Sequence, residues 1–326
     1  MNSPAPRSST RAVGVMLPRD LAADRVIEFA RRADALGFDE LWVVEDLGFR
    51  GGVAQASAVL AATERIRVGI GILPAAARNA AFAAMEINTL AELFPGRVDV
   101  GIGHGMPVWM RQLAAWPASP LTMLREQFDA IRGLLAGEHV ETEGRYVTVR
   151  DVHLESPAPV TPPLLAGVRG VKSLAVSGEV ADGTVLAEPV TPEYIAAARA
   201  AIGTEGTGTP HRIVAFNIGS VDDDAAAARD LARPGLEWIG EPDWEPHIAP
   251  LPYADEFRAF RAAAESREAF VRDLPDEWVD ELAVVGTPDD ARARLSELHD
   301  AGAHSVVLLP VGADRFAALE SLARVL

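Results

Sequence analysis

The stretch PLLAGVRGVKSLAVSGEVADGTVLAEP, residues 163–189, reads as strand, glycine turn, helix, Asp-Gly turn and strand. Leu164, Leu165 and Ala166 form a short apolar run that halts at Gly167. The turn Gly167-Val168-Arg169-Gly170 follows. Leu174, Ala175 and Gly178 then predict a helix from about Val171 with one small, apolar side. Asp182-Gly183 punctuates the chain before a second apolar run at 184–187. Two glycines just ahead of a helix leave backbone N–H groups free and allow close approach, so this turn can cradle a phosphate. Lys172 falls in the first turn of that helix and is the only lysine in the chain; all its other strong cations are arginines. The plain alternative is a chance surface lysine beside a glycine turn of a common kind.

The same alternation runs outward in both directions. Toward the N-terminus, apolar runs at 12–17, 41–44, 65–72 and 97–102 read as buried strands, each followed by a helical pattern. Gly69 and Gly71 inside the third run mark a kink or a ligand approaching the backbone. The fourth run ends in Gly103-His104-Gly105, and residues 106–116 read as a loop carrying two tryptophans. Residues 138–154 alternate as a hairpin turning at Glu143-Gly144, an excursion from the repeat. Toward the C-terminus, strands at 212–218 and 305–309 complete the count. Between them, residues 234–280 break the repeat with several prolines and three of the six tryptophans, and read as an insertion at one barrel mouth. Eight βα units predict an α/β fold, a closed (β/α)8 TIM barrel with insertions, with a doubly wound open sheet as the alternative. Residues 1–11 read as a disordered tail and 12–326 as a single domain.

In a barrel of this kind chemistry sits where strands end. The candidates are therefore Pro18, Glu45, Asp46, Leu73, His104, Arg169, Glu188, Asn217 and Pro310. The set holds two adjacent carboxylates, one histidine and one phosphate cradle. It has no HExxH pattern and no GxSxG elbow, so no metal site is expected. The chain lacks cysteine, which excludes disulfides and thiolate chemistry and fits a cytoplasmic protein. A formal charge of −17 argues against nucleic acid and anionic membranes as partners. No apolar run is long enough to cross a bilayer.

At this point the residues resemble a family, the bacterial luciferase-like flavin and deazaflavin oxidoreductases. The matching segments are Leu41-Trp42-Val43-Val44-Glu45-Asp46 with Gly51-Gly52 after it, and Gly69-Ile70-Gly71-Ile72-Leu73-Pro74. Pro95-Gly96-Arg97-Val98-Asp99-Val100-Gly101-Ile102-Gly103, Gly178-Glu179-Val180-Ala181-Asp182-Gly183 and Val285-Gly286-Thr287-Pro288-Asp289-Asp290 complete the set. The resemblance covers residues 12–326 in the right order and spacing. It implies a barrel holding FMN or coenzyme F420 at the C-terminal ends of its strands. It implies Glu45 and Asp46 beside the ring, and a non-proline cis peptide near Gly71–Ile72 behind it. It further implies His104 and Gly105 flanking the cofactor, Gly167, Arg169, Gly170, Val171 and Lys172 around its phosphate, and Glu188 lining the pocket. Two departures narrow the reaction. Members acting on sugar phosphates resemble the chain less at Asp46, where they carry histidine, and at Met106, where they carry glutamate. Light-emitting members also have histidine at the position of Asp46. Both departures argue against those reactions here.

The deazaflavin has a longer, polyanionic tail, and Arg50, Arg78, Arg169 and Lys172 could form a basic groove for it on an otherwise acidic surface. The expectation is thus an F420-dependent oxidoreductase passing a hydride to or from a small organic molecule, with FMN as the alternative cofactor. Asp46 and His104 are the candidate catalytic residues, as a proton source with the cofactor supplying the redox chemistry. A structural carboxylate at Asp46 and a hydrogen-bonded wall residue at His104 are the plainer readings, and Glu45 reads as structural. Trp109, Trp116, Trp238 and Trp244 are candidate pocket walls. An FMN monooxygenase fed by a separate flavin or F420 reductase, a non-catalytic flavin-binding barrel and an unrelated phosphate-binding barrel remain open. A homodimer through the helices near strands two to four is expected by the same resemblance.

Overall fold

The computed structural model describes residues 11–204 and 210–326; residues 1–10 of the expected tail lie outside them. Among the described residues there are eleven strands: β1 Ala12–Met16, β2 Glu40–Val43, β3 Arg67–Pro74, β4 Val98–Gly103, β5 Val140–Glu143, β6 Thr148–Val152, β7 Leu164–Gly167, β8 Gly183–Leu186, β9 Arg212–Val221, β10 Val284–Gly286 and β11 Ser305–Pro310. Eight of them, β1, β2, β3, β4, β7, β8, β9 and β11, pair in parallel, and the pairing of β8 with β9 joins the two ends. The sheet is closed and the open doubly wound alternative is excluded. β10 adds a short parallel strand along the far end of β9, with Val284 opposite Gly219. β5 and β6 form the antiparallel hairpin read from the sequence.

The helices are α1 Val26–Leu36, α2 Gly52–Ala62, α3 Ala80–Leu93, α4 Pro107–Gln112, α5 Pro120–Leu135, α6 Val171–Val180, α7 Pro192–Ile202, α8 Ala225–Ala232, α9 Glu245–Ile248, α10 Ala254–Ala263, α11 Arg267–Arg272, α12 Asp276–Leu282, α13 Pro288–Asp300 and α14 Arg315–Leu322. Several helices start on a side chain that closes the first orphan amides. Thr191 accepts from Tyr194 N, Asp224 from Ala226 N, and Thr287 and Asp290 form a reciprocal box. Pro107 in a first turn makes α4 out of what the sequence suggested was loop.

One apolar core lies between the sheet and the helices, with Phe29, Leu60, Ile87 and Leu134 in it. A second fills the barrel interior with Trp42, Val214, Phe216 and Val307 and runs on into Leu236, Phe257, Phe270 and Leu282 of the helical insertion. The N-terminal end of the barrel is closed by ionic contacts. Arg212, first in β9, donates 2.9 Å bonds to Asp99 Oδ2 of β4 and to Ser305 Oγ of β11, and also pairs with Glu40 of β2. Trp42 donates its indole N–H to Glu40 at 2.8 Å, so its ring stands upright inside the barrel. A Cβ on Gly69 would lie 2.2 Å from that ring. The strand glycine expected to mark a kink or a ligand therefore serves the packing of Trp42.

Candidate active site

At the end of β2, Glu45 accepts the amide of Gly52 at 2.6 Å, at the start of α2. It also receives both terminal nitrogens of Arg78, one of them at 2.8 Å. Its carboxylate thus ties β2 to α2 and to the segment after β3. Asp46, next along, is held by Arg19 at 2.5 Å and is partly exposed. Arg50 donates to the carbonyls of Leu21 at 2.8 Å and Arg19 at 3.1 Å, in the segment after β1. Arg50 and Arg78, expected in a basic groove, are instead engaged in these contacts. Carbonyls and carboxylates up to 33 residues away satisfy their fixed forks of donors.

The Gly71–Ile72 bond is cis, where the resemblance placed it. The ladder between β3 and β4 shifts register between Ile70 and Leu73. The Ile72 side chain faces the neighbouring strands. A Cβ would come within 2.7 Å of it at Gly101 and within 2.4 Å at Gly167. These glycines of β4 and β7 are small because Ile72 lies against them.

His104 follows β4. Its Nε2 lies 3.1 Å from Ser173 Oγ, in the first turn of α6, and Trp116 meets it edge-on at 6.5 Å between centroids. Burial pushes the imidazole below its ordinary range, favouring the neutral ring. Gly105 beside it has φ 71°, a left-handed conformation that suits glycine.

The turn after β7 is open at Gly170. Gly170 is the residue before α6; no side chain caps that helix, and a Cβ on Gly170 would meet nothing within 4 Å. Its φ of −85° would suit any residue, so neither conformation nor packing in the protein demands glycine there. Lys172 is exposed, and Val171 is 71% exposed. Free amides of a first turn, room for close approach and an ammonium suit an anion such as a phosphate ester. Arg169 leans away from this turn. Its guanidinium lies 4.8 Å over Trp244 and donates to the Asp243 carbonyl at 3.2 Å.

At the end of β8, Glu188 precedes a cis proline, Pro189. Trp244 donates its indole N–H to the Glu188 carbonyl at 3.0 Å. His247 donates from Nδ1 to the Pro189 carbonyl at 2.9 Å, and its buried Nε2 has no partner. Burial pushes His247 down to about 3, so the ring is neutral at any ordinary pH. Tyr194 stacks on it at 4.3 Å and donates its hydroxyl to the Arg169 carbonyl at 3.0 Å. The insertion therefore clasps the ends of β7 and β8. Burial, above all, raises the Glu188 carboxyl, with Asp46 adding to the effect and Arg169 and Arg19 opposing it.

The mouth thus gathers Asp46, Glu188, Arg169 and Arg19 within electrostatic reach of one another, and it joins His104 to the α6 turn. Asn217 does not belong to it. β9 runs on to Val221, and Asn217 pins Val190 through both its amide atoms. His247, Tyr194 and Ser173 were not candidates from sequence. Nothing local distinguishes them; only the docking of the insertion and of α6 gives them partners. Among the described residues no group of three His, Asp or Glu side chains is arranged to hold a metal, and no helix is long and apolar enough to cross a membrane.

Comparisons with known proteins agree with this architecture. The 5,10-methylenetetrahydromethanopterin reductase of Methanolobus tindarius is 29% identical over 310 residues, covering 92% of this chain and 94% of that protein. Among solved structures, the coenzyme F420 dependent tetrahydromethanopterin reductase of Methanopyrus kandleri superposes with a TM-score of 0.80 at 21% identity, covering 96% and 97% of the two chains. An F420-dependent secondary alcohol dehydrogenase, solved with an F420–acetone adduct, gives 0.73 at 20% identity, covering 97% and 98%. These two structural likenesses establish the fold. The luciferase-like monooxygenase family model matches residues 5–305, and the chain belongs to that family.

Proposed function

We propose that this chain is an F420-dependent oxidoreductase that transfers a hydride between the deazaflavin and a small organic substrate. The carrying observation is the uncapped start of α6, with Gly170 open beside exposed Lys172. An anionic cofactor phosphate fits this donor set. The amides of Val171, Lys172 and Ser173 and the Lys172 ammonium would hold it. His104, bonded to Ser173, would stand between phosphate and ring. Asp46 and Glu188 would border the ring itself, and Glu45, Gly71, Ile72, Gly105 and Gly167 would shape its seat. When bound, the deazaflavin supplies or accepts the hydride. The protein's part is to grip the phosphate, hold the ring against the mouth and manage the accompanying proton.

The choice between F420 and FMN leans on the Methanolobus relative, a reductase similar along almost the whole chain. The charge argument is weaker than the sequence suggested, because Arg50 and Arg78 are engaged elsewhere. Residues 12–326 are read as one luciferase-like unit, with 138–154 an excursion and 234–280 an insertion near the mouth. We further propose a cytoplasmic homodimer. A separate reductase partner belongs only to the FMN reading.

Fluorescence titration tests the proposal. Coenzyme F420 is expected to bind in either redox state, and Lys172→Ala is expected to weaken it about tenfold, the scale of one charge-assisted contact. Tight FMN binding with none for F420 would overturn it.

A further inference from the structure

Three carboxylates stand at the ends of β2 and β8, and they differ in their company. Glu45 is bonded by Arg78 and by the Gly52 amide, and Asp46 by Arg19. Among the described residues Glu188 forms no ion pair. We propose that Glu188 holds and delivers the proton that accompanies hydride transfer, with Asp46 and His104 in supporting positions. The inference rests on the hydride-transfer reading above and goes beyond it by naming the proton carrier.

The geometry favours this residue on two counts. Its backbone is fixed on both sides, since Trp244 bonds the Glu188 carbonyl and His247 the next one, at 3.0 and 2.9 Å. The nearby charges oppose one another: Arg169 and Arg19 favour the carboxylate and Asp46, just after β2, favours the neutral acid, while Arg19 is engaged by Asp46 and Arg169 lies over Trp244 and donates to the Asp243 carbonyl. His247, from α9, contributes no charge because burial keeps it neutral. Burial acts in the same direction as Asp46 and raises the Glu188 carboxyl above the ordinary carboxylate range. Protonating Glu45 or Asp46, by contrast, would break an existing ion pair. His104 is a poor acid here, because its ring is held neutral and faces Ser173.

In the reducing direction, the substrate's electrophilic carbon accepts a hydride, two electrons and one hydrogen, from the reduced deazaflavin. The adjoining heteroatom takes the proton of the Glu188 carboxyl as the carbon–heteroatom π bond breaks. Water then reprotonates the carboxylate, while the oxidised ring gives up one proton to solvent. Net, the substrate gains two hydrogens and the cofactor loses two. The oxidising direction is the reverse.

Infrared difference spectroscopy across pH, on protein carrying 13C-labelled glutamate, reads the carboxyl directly. The expected result is a protonated-carboxyl band that persists above the pH at which ordinary glutamates ionise. One component of that band should be lost in Glu188→Gln, shift in Glu188→Asp and remain in Asp46→Asn, while a component from Glu40, whose buried carboxyl is also raised, should stay in all three. In parallel, reduced F420 oxidation is followed with a panel of ketones, enones and imines. For any member turned over, Glu188→Gln should lower the rate about a hundredfold, the usual scale for a lost general acid, with F420 affinity within threefold of wild type. A wild-type band with no component lost in Glu188→Gln overturns the proposal, as does an unchanged rate. Failure of wild type to bind F420 would instead sink the functional reading while leaving the spectroscopic result to stand.

Discussion

At the level of single residues, Gly170 and Lys172 were legible in the sequence and Glu188 was only half so. A glycine turn before a helix, with one lysine in a chain of arginines, can be read in one dimension. The structure adds that Gly170 is free of any packing demand, since nothing lies within 4 Å of its missing Cβ. This sets up a discriminating substitution. Gly170→Ala should shift the urea midpoint only modestly: its φ of −85° is ordinary, and the poorer helix start that alanine makes is offset by the reduced freedom it gives the unfolded chain. The same methyl would intrude on a phosphate in the cradle, so F420 affinity should fall at least tenfold. Loss of stability without loss of affinity would remove the anion from that turn. Glu188 was a candidate only as pocket lining, because which arginine reaches which acid is decided across gaps of tens of residues. Its raised carboxyl has a linkage consequence. A folded-state pKa above the unfolded value contributes stability that is complete below the unfolded pKa and is lost as pH rises through the folded one. Wild type should therefore lose ground to Glu188→Gln as pH rises above about 4, the ordinary glutamate value. Paired urea melts over a pH series above that point check it, and a constant difference between the proteins would contradict it.

At the level of elements, strand and helix identities follow from period and punctuation, but the reasons for particular glycines do not. Gly69 and Gly71 drew attention as approach points for a ligand. The structure gives Gly69 to the Trp42 ring, and a Cβ on Gly71 would lie 3.2 Å from Trp42 and Phe216. Gly101 and Gly167 make room for Ile72. Sequence cannot show this, because the partners sit on adjacent strands whose register is set by closure of the barrel. The cis bond at Gly71–Ile72 was placed by resemblance alone and by no property of the residues themselves. The Ile72 arrangement predicts a coupled pair. Gly167→Ala should cost about 1–3 kcal/mol through overpacking, with its new Cβ some 2.4 Å from Ile72 Cγ2. Ile72→Ala removes that Cγ2, so the double variant should be more stable than the two single costs add up to. Strict additivity in denaturant melts would mean that the two residues do not share this space.

At the level of the whole molecule, the alternation of eight strands with helices already implied closure, and the pairing of β8 with β9 provides it. Residues 234–280 break the repeat in the sequence, but what that segment does was not legible there. It docks Trp244 and His247 onto the end of β8, and so a span with no readable motif sets the wall of the candidate site. The outer surface carries a second unread feature. Along α3, Phe82, Met85 and Leu93 are 67%, 51% and 65% exposed. Their spacing puts them on one side of the helix, and α2 packs beside it with the small residues Ala54, Ala58 and Ala61 also exposed. Scattered exposed apolar residues are ordinary, whereas an apolar stripe interrupted only by Thr89, beside a small-residue helix, suits a two-fold self-contact. The dimer proposed above would use this face. Phe82→Glu with Met85→Glu should then convert the protein to a monomer in sedimentation velocity at micromolar concentration. Far-ultraviolet circular dichroism should be unchanged, since neither side chain belongs to either core. F420 affinity should be retained, because α3 contributes nothing to the turn at α6. A wild-type protein already monomeric, or a double variant that remains dimeric, would move the contact elsewhere or remove it.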